Sequence, residues 1–162
     1  MSVRVFRLLL LFLCSSLCAE AEIKDTLVVA HDGSGKYDKI QDAIESIRAF
    51  MDYTVVVYVK NGVYKEKVVV PSWIKNVIIV GEDAEKTILT YDDGANINKM
   101  GTFRSYTLKI EGSDITLKNI TIENNAPKGT GQAVALHTEG DRLIFIGCRF
   151  LGNQDTVYTG AE

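Results

Sequence analysis

The 162 residues hold only three cysteines, two prolines, one tryptophan and two histidines. Cys14 and Cys18 sit in one N-terminal apolar run, which leaves Cys148 alone downstream and excludes an intrachain disulfide framework there. His31 and His137 are far apart, with no H-x-x-x-H and no paired Cys, so no metal site is expected. No stretch reaches the eighteen or so apolar residues of a membrane span. The net charge of −3 offers no basic footprint to nucleic acid. G-x-S-x-G is missing, so a nucleophile-elbow esterase has no support. Asp32-Gly33-Ser34-Gly35-Lys36 lacks the phosphate-loop spacing and reads as a tight turn.

What is present begins with an export pattern. Arg4 and Arg7 precede an apolar run from Leu8 to Cys18, followed by Ala19-Glu20-Ala21. This is the layout of a cleavable secretory signal over residues 1–21, with the mature domain spanning 22–162. A short membrane-anchoring helix is the alternative, but the run is too short to span. The protein is expected to be secreted, extracellular or periplasmic, with no membrane association after cleavage. Cys148, in the alternating run Ile146-Gly147-Cys148-Arg149-Phe150, is expected to be a buried, inert thiol.

One helix is predicted from Asp38 to Met51, where Ile40, Ala43, Ile44, Ile47, Phe50 and Met51 recur at helical spacing. Asp38 and Gln41 suggest a capping box. Beyond it, 34 of the 110 residues from 51 to 160 are Val, Ile or Thr, in short runs broken by Gly, Asn and Asp. These predict nine strands: 55–60, 67–70, 77–80, 87–91, 106–110, 115–122, 133–137, 143–150 and 156–158. An offset of 28 places Leu108 on Leu136, Glu111-Gly112 on Glu139-Gly140, Leu117 on Phe145 and Ile122 on Phe150. Such a period marks a stacked architecture. The expected fold is all-β, a parallel β-helix whose N-terminal end the helix covers.

Two polar intrusions interrupt the apolar texture, Gly131-Gln132-Ala133-Val134-Ala135-Leu136 and Gly152-Asn153-Gln154-Asp155-Thr156-Val157-Tyr158. Gln132 and Gln154 lie 22 residues apart, close to one solenoid turn. Two amide donors beside a carboxyl group would suit acyl transfer, the amides holding an oxyanion while the carboxyl passes a proton. Spacing alone favours a plainer alternative, in which Gln and Asn satisfy backbone groups at solenoid corners and Asp155 caps a turn.

At these residues the chain resembles the pectin methylesterase (pectinesterase) family, from about Leu27 to Tyr158. The resemblance is carried by Asp32-Gly33-Ser34-Gly35, Gly62-Val63-Tyr64-Lys65-Glu66, Gly101-Thr102-Phe103, Gln132-Ala133-Val134-Ala135-Leu136 and Gln154-Asp155-Thr156-Val157-Tyr158, in the family's order. It implies a right-handed parallel β-helix that demethylates homogalacturonan, releasing methanol and polygalacturonate, without metal or cofactor. It implies Asp155 as general acid and then base, Gln154 and Gln132 as the anion hole, and Thr102 as a substrate contact. Pectin is the expected partner, nucleic acid is not, and a monomer is expected at full length.

Two departures qualify the resemblance. Plant-type members carry His where Gly131 stands, and the family's nucleophile motif, D-F-I-F-G, and its arginine motif, L-G-R-P-W, occur nowhere in these residues. The chain therefore resembles the N-terminal portion of the catalytic domain, a β-helix truncated at its C-terminal end and inactive alone. A non-catalytic carbohydrate-binding β-helix and a pectate lyase or polygalacturonase-like enzyme are the alternatives.

Overall fold

The computed structural model describes residues 22–160, so the expected signal segment lies outside the described residues. Thirteen strands and one short α-helix follow in chain order: β1 (Ile23–Val29), α1 (Ile40–Glu45), β2 (Thr54–Val59), β3 (Gly62–Lys65), β4 (Val68–Val70), β5 (Lys75–Gly81), β6 (Thr87–Tyr91), β7 (Leu108–Ile110), β8 (Ser113–Lys118), β9 (Thr121–Asn124), β10 (Leu136–Thr138), β11 (Ile144–Ile146), β12 (Arg149–Leu151) and β13 (Val157–Thr159). Every pairing is parallel, in three sheets ordered β1-β2-β5-β8-β11, β3-β6-β9-β12 and β4-β7-β10-β13. Strands taken in rotation by three sheets make a parallel β-helix.

The core is a set of stacked rows, because a parallel ladder sets like positions of successive turns one strand spacing apart. Val57, Ile79 and Leu117 form one row, and Val68, Leu108 and Leu136 another; all six are buried. The offset of 28 is the actual register of one turn on the next: Leu108 faces Leu136, Leu117 faces Phe145 and Ile122 faces Phe150. The repeated Glu-Gly pair has a steric cause. A Cβ on Gly140 would lie 1.8 Å from the Gly112 carbonyl oxygen, and one on Gly112 would lie 2.2 Å from that of Ile74.

Corners are left-handed. Asn76, Asp114 and Arg142, at equivalent points of three turns, have φ of 57°, 58° and 53°. Asn and Asp tolerate this region better than most residues, and Arg142 is held by a bidentate ion pair to Asp114 at 2.6 and 2.7 Å.

The sequence reading is corrected at several points. The helix runs only over Ile40–Glu45 rather than to Met51, although Ile47 and Met51 are still buried in the same core. Asp38 does not cap it; Asp38 pairs with His31 at 2.8 Å. The cap comes from Glu66, whose carboxylate accepts the N–H groups of Ile40 (2.8 Å) and Gln41 (3.1 Å). The runs 115–122 and 143–150 are each two strands separated by a corner, and β1 and β3 were not predicted. Cys148 is half-buried against the core, and burial pushes its thiol up, in keeping with an inert role.

Candidate functional site

The outer face of the β4-β7-β10-β13 sheet carries the row Val69, Lys109, His137 and Tyr158. The long connection from β6 to β7 folds over this face through 3₁₀ turns at Ile97–Lys99 and Thr102–Arg104. It brings Phe103 edge-on to Tyr158, with ring centroids 5.3 Å apart, and within 6.3 Å of His137. His137 is thereby buried on what would otherwise be an open face. Its Nε2 lies 3.2 Å from Glu139 Oε1, and Lys109 bridges Glu139 (3.0 Å) and Glu111 (2.7 Å). Burial is the largest influence on His137 and lowers its pKa; Glu139 opposes that shift and Lys109 adds to it.

The two glutamine motifs stack where spacing placed them. Ala95 N–H donates to the Gln132 carbonyl at 2.7 Å, and Ala133 N–H donates to that of Gln154 at 3.0 Å. Gln132 is half-buried; Gln154 and Asp155 are exposed. Asp155 holds φ of +54°, a left-handed position just before β13. Beside them lies a cavity of about 330 Å³ lined by Gln154, Asn153, Ala133, Gly131 and the 126–129 loop. Gly131 has φ of +82°, a conformation that strains any residue with a side chain, and a Cβ there would meet the Asn96 amide at 2.9 Å.

Thr102 is half-buried, and its carbonyl accepts the Ser105 N–H (3.0 Å) and Oγ–H (2.8 Å). Ser105 Oγ in turn accepts the Val134 N–H at 3.2 Å, which ties the Thr102 segment to the strand approach carrying Gln132. Asn124, buried at the end of β9, completes the hub. Its Nδ2 lies 2.9, 2.8 and 3.0 Å from the carbonyls of Asp93, Ser105 and Val134, and its Oδ1 accepts the Ala126 N–H at 3.0 Å. Sequence reasoning missed Ser105, Asn124 and His137; β9 reads Thr-Ile-Glu-Asn, so a further polar residue at its end does not stand out.

Asn153 also satisfies backbone, donating to the Ala126 carbonyl at 3.2 Å. Gln132, Gln154 and Asp155 behave differently. Among the described residues their side chains make no hydrogen bond and no ion pair. The corner-satisfying role considered from spacing therefore applies to the asparagines and not to these three. Among the described residues there is also no grouping of three or more His, Cys, Asp or Glu able to hold a metal ion.

The pectinesterase family profile matches residues 26–162. The chain belongs to the pectinesterase family. It is 39% identical over 139 residues to pectinesterase 31 of Arabidopsis thaliana, covering 80% of this chain and 44% of that one. It is also 39% identical over 136 residues to the probable pectinesterase/pectinesterase inhibitor 23 of the same plant, covering 84% and 24%. Among solved structures, pectin methylesterase from carrot superposes with a TM-score of 0.80 at 33% identity, over 85% of this chain and 43% of that one. A pectin methylesterase in complex with a hexasaccharide gives 0.75 at 29% identity, over 82% and 45%. The chain thus spans between about a quarter and just under half of the length of these relatives.

Proposed function

We propose that the protein containing this chain hydrolyses the methyl esters of homogalacturonan, releasing methanol and leaving polygalacturonate. The supporting observation is the stacking of Gln132 and Gln154 on adjacent turns, beside Asp155, with all three side chains unengaged among the described residues. A carboxylate from outside these 162 residues attacks the ester carbonyl. The amides of Gln132 and Gln154 hold the tetrahedral oxyanion, each worth roughly 3 kcal/mol of barrier. As the intermediate collapses, the C–O bond to methanol breaks and Asp155 supplies the proton. Water then attacks the acyl-enzyme, Asp155 takes its proton, and the acid product and free nucleophile are restored. Thr102 contacts the polysaccharide from the overlying turn. Residues 1–21 serve as the export signal, placing the enzyme outside the cytoplasm.

The test is methanol release from methyl-esterified homogalacturonan by the full-length protein. Asp155→Ala is expected to lower turnover at least about a thousandfold, as loss of a group acting in both half-reactions should. Turnover within a few-fold of the parent overturns the assignment. The 162-residue chain alone is expected to release no methanol.

A further inference from the structure

Gln132 and Gln154 can hold one oxyanion only if the segments that carry them are fixed against each other, and neither residue lies in a strand. Residues 125–135, between β9 and β10, form no strand or helix. The Gln132 side chain makes no hydrogen bond among the described residues, so its place is set through its backbone. That backbone is pinned at Val134, which is buried. The Val134 N–H donates to Ser105 Oγ at 3.2 Å, and its carbonyl accepts the Thr107 N–H at 3.0 Å and lies 3.0 Å from Asn124 Nδ2. The residues on either side of it serve the next turn. Ala133 N–H donates to the Gln154 carbonyl at 3.0 Å and Ala135 N–H to the Thr156 carbonyl at 2.9 Å, so the two bonds straddle Asp155.

Asn124 acts on the other flank as well. Its Nδ2 lies 2.9 Å from the Asp93 carbonyl, and the chain just beyond Asp93 pairs with the glutamine segment. Ala95 N–H donates to the Gln132 carbonyl at 2.7 Å, and Asn96 N–H to the Thr130 carbonyl at 2.9 Å. Ser105 joins the same group to Thr102, whose carbonyl accepts its Oγ–H at 2.8 Å. Asn124 and Ser105 are both buried. One carboxamide and one hydroxyl thus hold the Gln132 segment from both sides, and a buried polar network whose members are all bonded favours a single arrangement.

We propose that Asn124 and Ser105 are positioning residues for ester hydrolysis, setting the register of Gln132 against Gln154 so that both amides meet one oxyanion. This rests on the reading of the protein as a pectin demethylase. An oxyanion donor acts over a narrow range of distance, and a misplacement of roughly 1 Å costs about a hundredfold in rate.

The experiment is steady-state methanol release by the full-length protein, run where urea titration shows each variant to be folded. Asn124→Ala is expected to lower kcat about tenfold to a hundredfold, with KM within about threefold of the parent. Ser105→Ala removes one hydroxyl and spares the Asn124 amide; it is expected to lower kcat about fivefold to tenfold, and it decides the matter if Asn124→Ala does not fold. Thr121→Ala is the comparison for stability alone. Its buried hydroxyl, at the other end of β9, donates to the Ala84 carbonyl, and its loss destabilises the fold without changing kcat. The deciding readout is a mutant cycle with Gln132→Ala. Residues that act through Gln132 have little left to lose once it is gone, so either substitution in that background costs less than about threefold. Losses that multiply fully with that of Gln132→Ala, or that match Thr121→Ala, overturn the positioning role while leaving demethylation standing. If the parent protein releases no methanol, or Gln132→Ala leaves turnover intact, the functional reading falls, and the positioning role with it.

Discussion

The ring of His137 meets the ring of Tyr158 edge-on, centroids 4.9 Å apart and planes at 86°. This contact makes a buried histidine part of the floor beneath Phe103 and Tyr158, and it links fold stability to acid. Glu139, Glu111 and Lys109 are the charged groups that act on it, and burial outweighs them. The folded-state pKa therefore lies below the ordinary value of 6.5. The folded protein binds less proton here than the unfolded chain, so stability is full above pH 6.5 and is lost as pH falls toward the folded value. Thermal unfolding at pH 7.5 and 5.5 is expected to show a larger acid-induced drop for the parent than for His137→Gln. Parallel slopes would dismiss the link.

Asn124 reaches three loops from one buried amide. Replacing it with alanine leaves the carbonyls of Asp93, Ser105 and Val134 without their shared donor and the Ala126 N–H without its acceptor. The expected cost is about 3 kcal/mol, read from urea unfolding. A loss below about 0.5 kcal/mol would mean that water replaces the amide freely.

Glu66 caps α1 from a different turn of the solenoid, and its pH dependence has the opposite sense to that of His137. Burial raises its pKa above 4.5 despite the two N–H groups that pull it down. A raised carboxylate pKa means that the folded state prefers the protonated form. The stability it contributes is present below pH 4.5 and declines as pH rises through the folded value. Relative to Glu66→Gln, the parent should be favoured more at pH 4 than at pH 7 in urea titrations. A gap that widens toward pH 7 would show the N–H bonds prevailing over burial.

How much of this was legible depends on where turns differ in length. Leu108 could be laid on Leu136, and Ile122 on Phe150, because no insertion separates those two turns. Earlier turns hide the repeat: Val55 faces Val77, 22 residues on, but Val77 faces Ile115, 38 residues on. The longer turn holds the connection that carries Thr102. The corner at Asn119, with φ of 50°, was invisible as a break because alternation of apolar with polar residues resumes directly beyond it, at Ile120 and Ile122. Its trace is a slip in parity, from buried Ile115 and Leu117 to buried Ile120 and Ile122. Strand β1 escaped because its first half is exposed and polar. Gln132, Gln154 and Asp155 could be singled out as polar residues in apolar sequence. Ser105 and Asn124 could not, since each acts on carbonyls and N–H groups brought near only by the winding of the chain.

The last expectation separates the two glutamines. Both are proposed to stabilise the same oxyanion, so either alanine variant should lower kcat by about a hundredfold to a thousandfold while changing KM little. Their surroundings differ, however. Gln132 is half-buried between the turns of Ala95 and Gln154, whereas Gln154 is exposed at the cavity wall. A partly desolvated donor acts in a lower local dielectric, where its bond to developing charge is stronger. Gln132→Ala should therefore cost more turnover than Gln154→Ala, and the double variant less than the product of the two losses, because both serve one charge. Steady-state methanol release by the full-length variants decides the order. A larger loss at Gln154 would place the developing charge toward the exposed side of the cavity, and fully multiplicative losses would mean that the two amides act on separate atoms.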